Sequence, residues 1–176
     1  KMLGYEVASP RAPIATINVS LSTSQALATM PAGTTFTTKV DGVSYQFVTI
    51  TDVTKQNTGN AIPFDSTEVY EGTYATTKYL VDSNDVDQRF VLTDVRADTS
   101  TLTVRVQNST TDTTTTTYTK ATDITQLSSS STVYFLQETE SGKFEVYFGD
   151  GATSVALSDG NIVQLNYVIT NKTVAN

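Results

Sequence analysis

The chain has 176 residues, a net charge of −7, and neither cysteine nor histidine. Without these two residue types there is no disulfide framework, no cysteine or histidine ligand for zinc, and no histidine to transfer protons, so most hydrolase mechanisms are excluded. The 11 lysines and arginines are scattered rather than clustered, which argues against binding to the phosphates of a nucleic acid.

The length predicts one domain over residues 1–176, with an inserted β subdomain at roughly residues 55–130. No apolar run approaches the roughly 20 residues needed to cross a bilayer, so we expect no membrane partner. The first residues lack the apolar centre of a secretory signal, and we interpret the chain as a piece of a longer protein.

Threonine, valine, tyrosine and phenylalanine are frequent, and these β-branched and aromatic residues favour strands. No window shows a sustained apolar repeat at helical spacing. The sequence therefore predicts an all-β fold: an antiparallel β-sandwich or meander-rich β domain with an inserted β ribbon and at most one short helix. The best helix candidate is Ser22–Met30, a short helical turn before Pro31. Either Ser22 or Ser24 could cap its start.

The N-terminal half contains one strong hairpin signal. Ala15–Leu21 alternates apolar and polar residues and predicts the first strand. Thr34–Val40 and Gly42–Ile50 predict a hairpin that turns at Asp41-Gly42. The polar stretch Asp52–Ala61 predicts a loop.

The middle of the chain predicts further strands. Glu68–Leu80 reads as one extended run with many aromatic residues, and Gln88–Leu92 as a short strand. Thr101–Gln107 alternates cleanly, so its pairing register is well specified. The threonine-rich tract 108–117 has almost nothing to bury and predicts a solvated hairpin loop or edge ribbon.

The C-terminal stretch 134–176 predicts a β-meander of three alternating runs joined by turns with glycine and aspartate. It contains the motif FGDG, whose glycines tolerate positive φ and whose carboxylate can accept bonds from backbone amides, and we predict a tight reversal there followed directly by a strand. A phosphate-binding loop would instead lead into a helix. The residues assigned to structural turns are Phe148, Gly149, Asp150, Gly151, Asp159 and Gly160.

Two groups of carboxylates are candidate chemical sites. Asp82–Asp87 resembles a calcium loop in composition, but an EF-hand needs glycine and glutamate where this chain has Asp87 and Thr93, so we predict a capped acidic turn. Glu138 and Glu140 could imitate a glycosidase pair, yet their setting is that of ordinary surface residues. We therefore predict no catalytic residue, no metal site and no cofactor, and no enzyme.

Several segments of the chain together resemble a known family. The sequence resembles the β domain of the baseplate wedge proteins of contractile-tailed bacteriophages, in the broad baseplate J-like family and nearest to the T-even type. The segments that carry the resemblance are Pro31–Phe36, Arg89-Phe90, Asp98–Val106, FEVYFGDG at 144–151, Asp159–Asn161, Val163–Tyr167, Thr170 and Ala175-Asn176. The chain departs from the family pattern at Ser154 and at Asn171-Lys172, where glycines are frequent, so those loops are expected to differ.

The resemblance implies a structural subunit of the virion, located in the tail baseplate and assembled in the host cytoplasm. It implies contacts with other wedge proteins and self-association as a homodimer or ring, around a central hub and with rearrangement when the sheath contracts. Nucleic acid, membrane and small-molecule substrates are not expected as partners. Exposed tyrosines would serve as contact anchors, with Tyr70, Tyr74, Tyr79 and Tyr118 as the candidates.

Two alternatives stay open at the level of the sequence. A carbohydrate- or receptor-binding β-sandwich of a tail fibre or adhesin would fit the threonine-rich strands, and its tyrosines would stack on sugars. An immunoglobulin-like spacer of a surface protein would be a monomer without partners.

Overall fold

The computed structural model describes residues 8–85 and 87–171 and consists mainly of β-strands. The predicted all-β class is confirmed. Within the described ranges no helix is long and apolar enough to cross a membrane. The family segment Ala175-Asn176 lies outside the described residues. The strands are β1 (Ile14–Ser22), β2 (Leu27–Met30), β3 (Thr35–Val40), β4 (Val43–Val48), β5 (Val53–Gln56), β6 (Ala61–Glu71), β7 (Thr73–Leu80), β8 (Phe90–Val91), β9 (Ala97–Gln107), β10 (Thr115–Lys120), β11 (Val133–Glu138), β12 (Phe144–Tyr147) and β13 (Ile162–Ile169), with a 3-10 turn at Ile124–Gln126.

The N-terminal strands form a four-stranded antiparallel sheet in the order β1-β6-β4-β3, called here the open sheet. The predicted hairpin at Asp41-Gly42 is confirmed, because Val40 pairs with Val43 across a two-residue loop. Both loop residues have positive φ, 51° at Asp41 and 81° at Gly42, as the type I′ turn requires.

A separate two-stranded ribbon, β2 with β5, corrects two predictions. The predicted helix at Ser22–Met30 is wrong, since its second half is strand β2. The predicted loop at Asp52–Ala61 is wrong in its first half, which is strand β5. The reason is long-range pairing, in which Met30 lies opposite Val53 and packs against buried side chains of β6, and such a partner overrides local preference.

Gly72 divides the predicted run Glu68–Leu80 between two sheets. Its φ of 137° belongs to the left-handed half of the map, and an added Cβ would lie 2.3 Å from the carbonyl oxygen of Ile169. Its N–H donates to the carbonyl of Gln46 at 2.9 Å. The prediction of one uninterrupted strand is therefore wrong, because the chain leaves the open sheet at this glycine.

The remaining strands form a seven-stranded sheet in the order β7-β13-β9-β10-β11-β12-β8, called here the curled sheet. Its first and last strands meet, because the Tyr79 hydroxyl on β7 donates to the carbonyl of Val91 on β8 at 2.5 Å. The Tyr79 ring also packs edge-on against Phe90, with ring centres 5.7 Å apart. The sheet thus nearly closes on itself around one core.

The curled sheet fills its interior with side chains from all seven of its strands. Tyr167 on β13 is fully buried, and its hydroxyl accepts the N–H of Thr93 at 3.1 Å. The fully buried members of this cluster include Leu92, Ala97, Val104, Val146, Val163, Leu165 and Tyr167. The predicted strand Thr101–Gln107 is confirmed within β9, but its two end residues are buried as well, so burial alternates only from Val104 to Val106. Residues 108–114 connect β9 to β10 as a hairpin loop.

Strand order corrects the predicted C-terminal meander. β11 and β12 do form a hairpin, but β13 lies between β7 and β9 rather than beside β12. β10 and β11 are parallel, so the sheet is not purely antiparallel. The physical reason is the connection at residues 148–161, which is long enough to carry the chain across to the other side of the sheet.

Two buried carboxylates join the open sheet to the curled sheet. Asp98 on β9 is 1% exposed and accepts the N–H of Ala12 at 2.8 Å and the hydroxyl of Ser100 at 2.6 Å. Glu71 at the end of β6 accepts the backbone N–H and the side-chain amide of Asn171. Each buried charge has hydrogen-bond donors, as burial of a carboxylate demands.

Candidate interaction surfaces

The FGDG segment begins the long connection after β12 and is held by a buried serine. The Gly149 N–H donates to the hydroxyl of Ser154 at 3.1 Å, and Ser154 is fully buried. A Cβ on Gly149 would lie 2.2 Å from that hydroxyl oxygen, so the close approach requires glycine. Ser154, one of the predicted departures from the family pattern, is therefore the residue that closes this loop.

Phe148 anchors the same segment to the interior of the curled sheet. Its ring packs edge-on against Phe90 at 5.6 Å and against Tyr118 at 5.2 Å, measured between ring centres. Such edge-to-face pairs add to the gain from burial. Phe144, Val146 and Phe148 are spaced two residues apart, and all three pack in one cluster.

The acidic residues of the two turns bond to backbone amides. Asp150 accepts the N–H of Ala152 at 3.0 Å, and Asp159 accepts the N–H of Ser83 at 3.0 Å. Gly151 and Gly160 have φ of 91° and 79°, which suits glycine. The prediction of a strand directly after FGDG is wrong, because the next strand, β13, begins only at Ile162.

The FGDG segment and the acidic turn border a shallow surface cleft of about 330 Å³. Its carboxylates belong to Asp82, Asp85 and Asp150, and Arg89 lies among them. Asp82 accepts both the backbone N–H and the side-chain amide of Asn84, and these bonds lower the pKa of its carboxyl group. The predicted capped acidic turn is confirmed by these bonds.

The carboxylates that imitate a glycosidase pair lie at a hairpin. Glu138 is the last residue of β11 and Glu140 lies in the loop that follows, and both are exposed. Within residues 8–85 and 87–171, no three acidic residues come together in a way that could hold a metal ion.

The four tyrosines predicted as contact anchors are only partly accessible. Tyr118 is 6% exposed and its burial raises the pKa of the phenol, so its assignment as an anchor is wrong. Tyr79 is half-buried and bonded to Val91, and Tyr74 packs between the two sheets. Tyr70 is half-buried and donates to Glu68 at 3.2 Å. Side chains that already pack inside the protein are poorly placed to stack on a sugar.

A surface feature that the sequence reasoning missed lies on the outside of the β11–β12 hairpin. Phe135 and Tyr147 are cross-strand partners whose rings stack at 5.2 Å with an angle of 19°. The Arg89 guanidinium lies 5.0 Å from the centre of the Tyr147 ring, on the order of a cation–π contact. We call these three residues the aromatic ridge. The two-residue spacing of Glu145 and Tyr147 indicates that they share one face of β12. Only the structure shows which residues of β11 lie opposite them.

The aromatic ridge has the composition of an interface anchor. Tyrosine and arginine are enriched among residues that contribute most to protein–protein binding, and rigid stacked rings lose little entropy on contact. Gln137 extends the ridge by donating to Glu145 across the same two strands. All three ridge residues are partly exposed, so a partner could reach them.

Comparison with known proteins gives one finding. Residues 76–176 match the family model described as "Bacteriophage baseplate wedge protein gp6, third domain". A search of curated proteins finds no significant match. The matched range begins within β7 and takes in all the later strands of the curled sheet.

Proposed function

The chain belongs to the family of the third domain of bacteriophage baseplate wedge protein gp6, and from this premise we propose that it helps to join wedge subunits into a ring around the tail hub. The role of a baseplate wedge protein is structural, and its place is the tail of the virion. Such a protein interacts with other proteins of the baseplate. The ring, its contacts with the hub and its assembly in the host cytoplasm are part of the proposal.

The observation that carries the proposal is the position of the family match. It covers all but the first three residues of the curled sheet, from Thr76 to Ile169 within β7–β13, rather than a short motif. A match over nearly the whole curled sheet includes the surface that partners would contact as well as the turn motifs. FGDG by itself would not have distinguished a wedge protein from any other β protein.

Rigidity of the curled sheet supports a role as a moving part. Its interior is filled, its edge strands meet at Tyr79, and its longest connection is fixed by Phe148 and Ser154. A unit with a filled core transmits displacement as a whole, because packed cores resist gradual deformation. We therefore propose that it turns as one body when the sheath contracts.

We further propose that the chain is not an enzyme and takes neither nucleic acid, membrane nor a small molecule as a partner. The structural family supports this, and so does the acidic charge of the chain. The carboxylates Asp82 and Asp150 are occupied by bonds within their own turns.

The aromatic ridge provides the test of the assembly proposal. The full-length parent would be mixed with purified neighbouring wedge proteins and imaged by electron microscopy, with binding measured by calorimetry. We expect joint particles, and we expect Arg89→Ala with Tyr147→Ala to weaken binding at least tenfold, as removal of a central anchor does. Lys120→Ala, an exposed change on β10, is the matched control and should leave binding unchanged.

Two results would count against this function. If the wild-type parent forms no joint particle with any wedge protein, the assembly role fails. If it also retains sugars on a glycan array, the carbohydrate-binding alternative replaces it.

A further inference from the structure

The outer edge of β1 presents a row of backbone hydrogen-bonding groups. β1 ends the open sheet and pairs with β6 on one side, while no described strand pairs with its other side. Its nine residues, IATINVSLS, include no charged residue and no proline. A long uncharged edge of this kind is a template for another strand.

The other edges among the described residues carry the features that block such pairing. β3, the opposite edge of the open sheet, contains Lys39, and β5 of the ribbon contains Lys55. β2 has only four residues. In the curled sheet the two terminal strands face each other at Tyr79. β1 is thus the one long edge in the described part of the chain that lacks protection.

The strand is also regular on the side that a partner would meet. The irregularity opposite Asn18 lies in β6, where Ser66 has a φ of 54° and donates its N–H to the Asn18 side chain at 2.8 Å. The extra residue belongs to β6, so it lies on the side of β1 that faces away from a partner. Ile14 and Leu21, near the two ends of β1, are 58% and 45% exposed and supply apolar surface.

The uncharged edge of β1 is compatible with a second copy of this chain as the occupant, and the symmetry of such a pair supports it. Two copies with a net charge of −7 repel each other over most of their surfaces. The neutral edge of β1 is the place where two copies can approach without setting like charges opposite one another. An antiparallel pair of identical strands has two-fold symmetry, the commonest symmetry of homo-oligomers.

We propose that β1 pairs antiparallel with β1 of a second copy, with the two-fold axis at Asn18, so that one sheet continues through both copies. This register uses all nine residues and sets Ile17 opposite the second copy's Val19, and Thr16 opposite the second copy's Ser20. A slip by one residue would place apolar side chains opposite polar ones. The inference rests on the joining of wedge subunits in the proposed function and names one contact surface for it.

The symmetry allows a test with two double variants. Residues 16 and 20 are exposed, and each meets the other across the axis, so every change acts twice. Thr16→Lys with Ser20→Lys sets lysine opposite lysine, whereas Thr16→Lys with Ser20→Glu sets lysine opposite glutamate. Sedimentation equilibrium of this chain should show a dimer, and the dimer dissociation constant of the first variant should be at least about tenfold that of the second.

The general charge of the protein cannot produce this result. Two added lysines make the acidic chain less negative, which by itself would strengthen association, while the lysine–glutamate variant leaves the net charge unchanged. Circular dichroism and the midpoint of thermal unfolding, measured where each variant is monomeric, should match the wild type and show that both variants fold.

Several outcomes would overturn the proposal. The wild-type chain could sediment as a monomer at all concentrations, or both variants could dimerise as the wild type does. Hydrogen exchange could also show that the β1 amides become protected only on addition of another baseplate protein. The electron-microscopy test with wedge proteins is independent, so the assembly role could stand while the β1 contact fails.

Discussion

The curled sheet encloses its core, whereas the open sheet shares a much smaller one with the β2–β5 ribbon. Among the described residues, thirteen buried side chains form the central cluster of the curled sheet, and three form the cluster of the open sheet and ribbon. Five of the seven exposed large apolar residues lie in the open sheet or ribbon. These five are Ile14, Leu21, Leu27, Val40 and Val43.

This contrast teaches that strand composition alone does not decide how a sheet is stabilised. Both regions are rich in threonine and valine, but closure lets every strand of the curled sheet face one interior. The open sheet does not close on itself, and it shares only a small cluster with the ribbon. Since stability follows the apolar area removed from water, the curled sheet should be the more stable region and the open sheet the one that opens first.

The sharpest test of the comparison is one cavity in each region. Leu165→Ala removes a fully buried side chain from the curled sheet and should lower the free energy of unfolding by about 3–5 kcal/mol. Met30→Ala, in the small cluster, should cost less, on the order of 2 kcal/mol, and should act mainly on exchange of amides in β2, β5 and β6. Urea denaturation and hydrogen exchange measure both. Equal losses spread over the whole chain would break the comparison.

A second prediction concerns the point where the chain passes between the two regions. Gly72→Ala forces a side chain into a conformation that suits glycine and toward the Ile169 carbonyl, so it should cost roughly 2–3 kcal/mol. Gly59→Ala is the matched control, because its φ is also positive but nothing lies within 4 Å of its Cβ. Thermal unfolding should separate the two variants, and equal midpoints would show that Gly72 is not under special constraint.

The smallest expected effect is pH-dependent and concerns the loop between β8 and β9 of the curled sheet. The Arg96 side chain donates to the Asp94 carboxylate at 2.8 Å, and this bond lowers the pKa of the carboxyl group from its usual value. Because the folded pKa is depressed, the contribution is present above the unfolded pKa and is lost as pH falls through the folded value. Asp94→Asn should therefore cost at most about 1 kcal/mol at neutral pH and less in acid. A loss that grows on acidification would contradict this assignment.

The sequence predicts structure correctly where local chemistry alone determines it. The Asp41-Gly42 hairpin needs only two residues that accept positive φ. The β-branched residues of Thr101–Gln107 favour a strand, and this run lies within β9. The capped turn at Asp82 follows from the tendency of aspartate to bond the amide two residues on.

The failures were decided by contacts distant in sequence. Nothing near Leu27–Met30 indicates that Val53–Gln56 will pair with it, and no local signal places β13 between β7 and β9. Tyr118 resembles a surface tyrosine until Phe148 packs against it. The extent of the domain over residues 1–176 and the assignment of the turn residues stay predictions.

The position of β13 has a mechanical consequence. The strand is bonded along its length to β7 on one side and to β9 on the other, and Asn171 just beyond it is held by Glu71 of the open sheet. Tension applied along this strand would load both ladders in shear, so many bonds would have to fail together rather than one after another. A strand paired on both sides in this way resists being pulled out of its sheet.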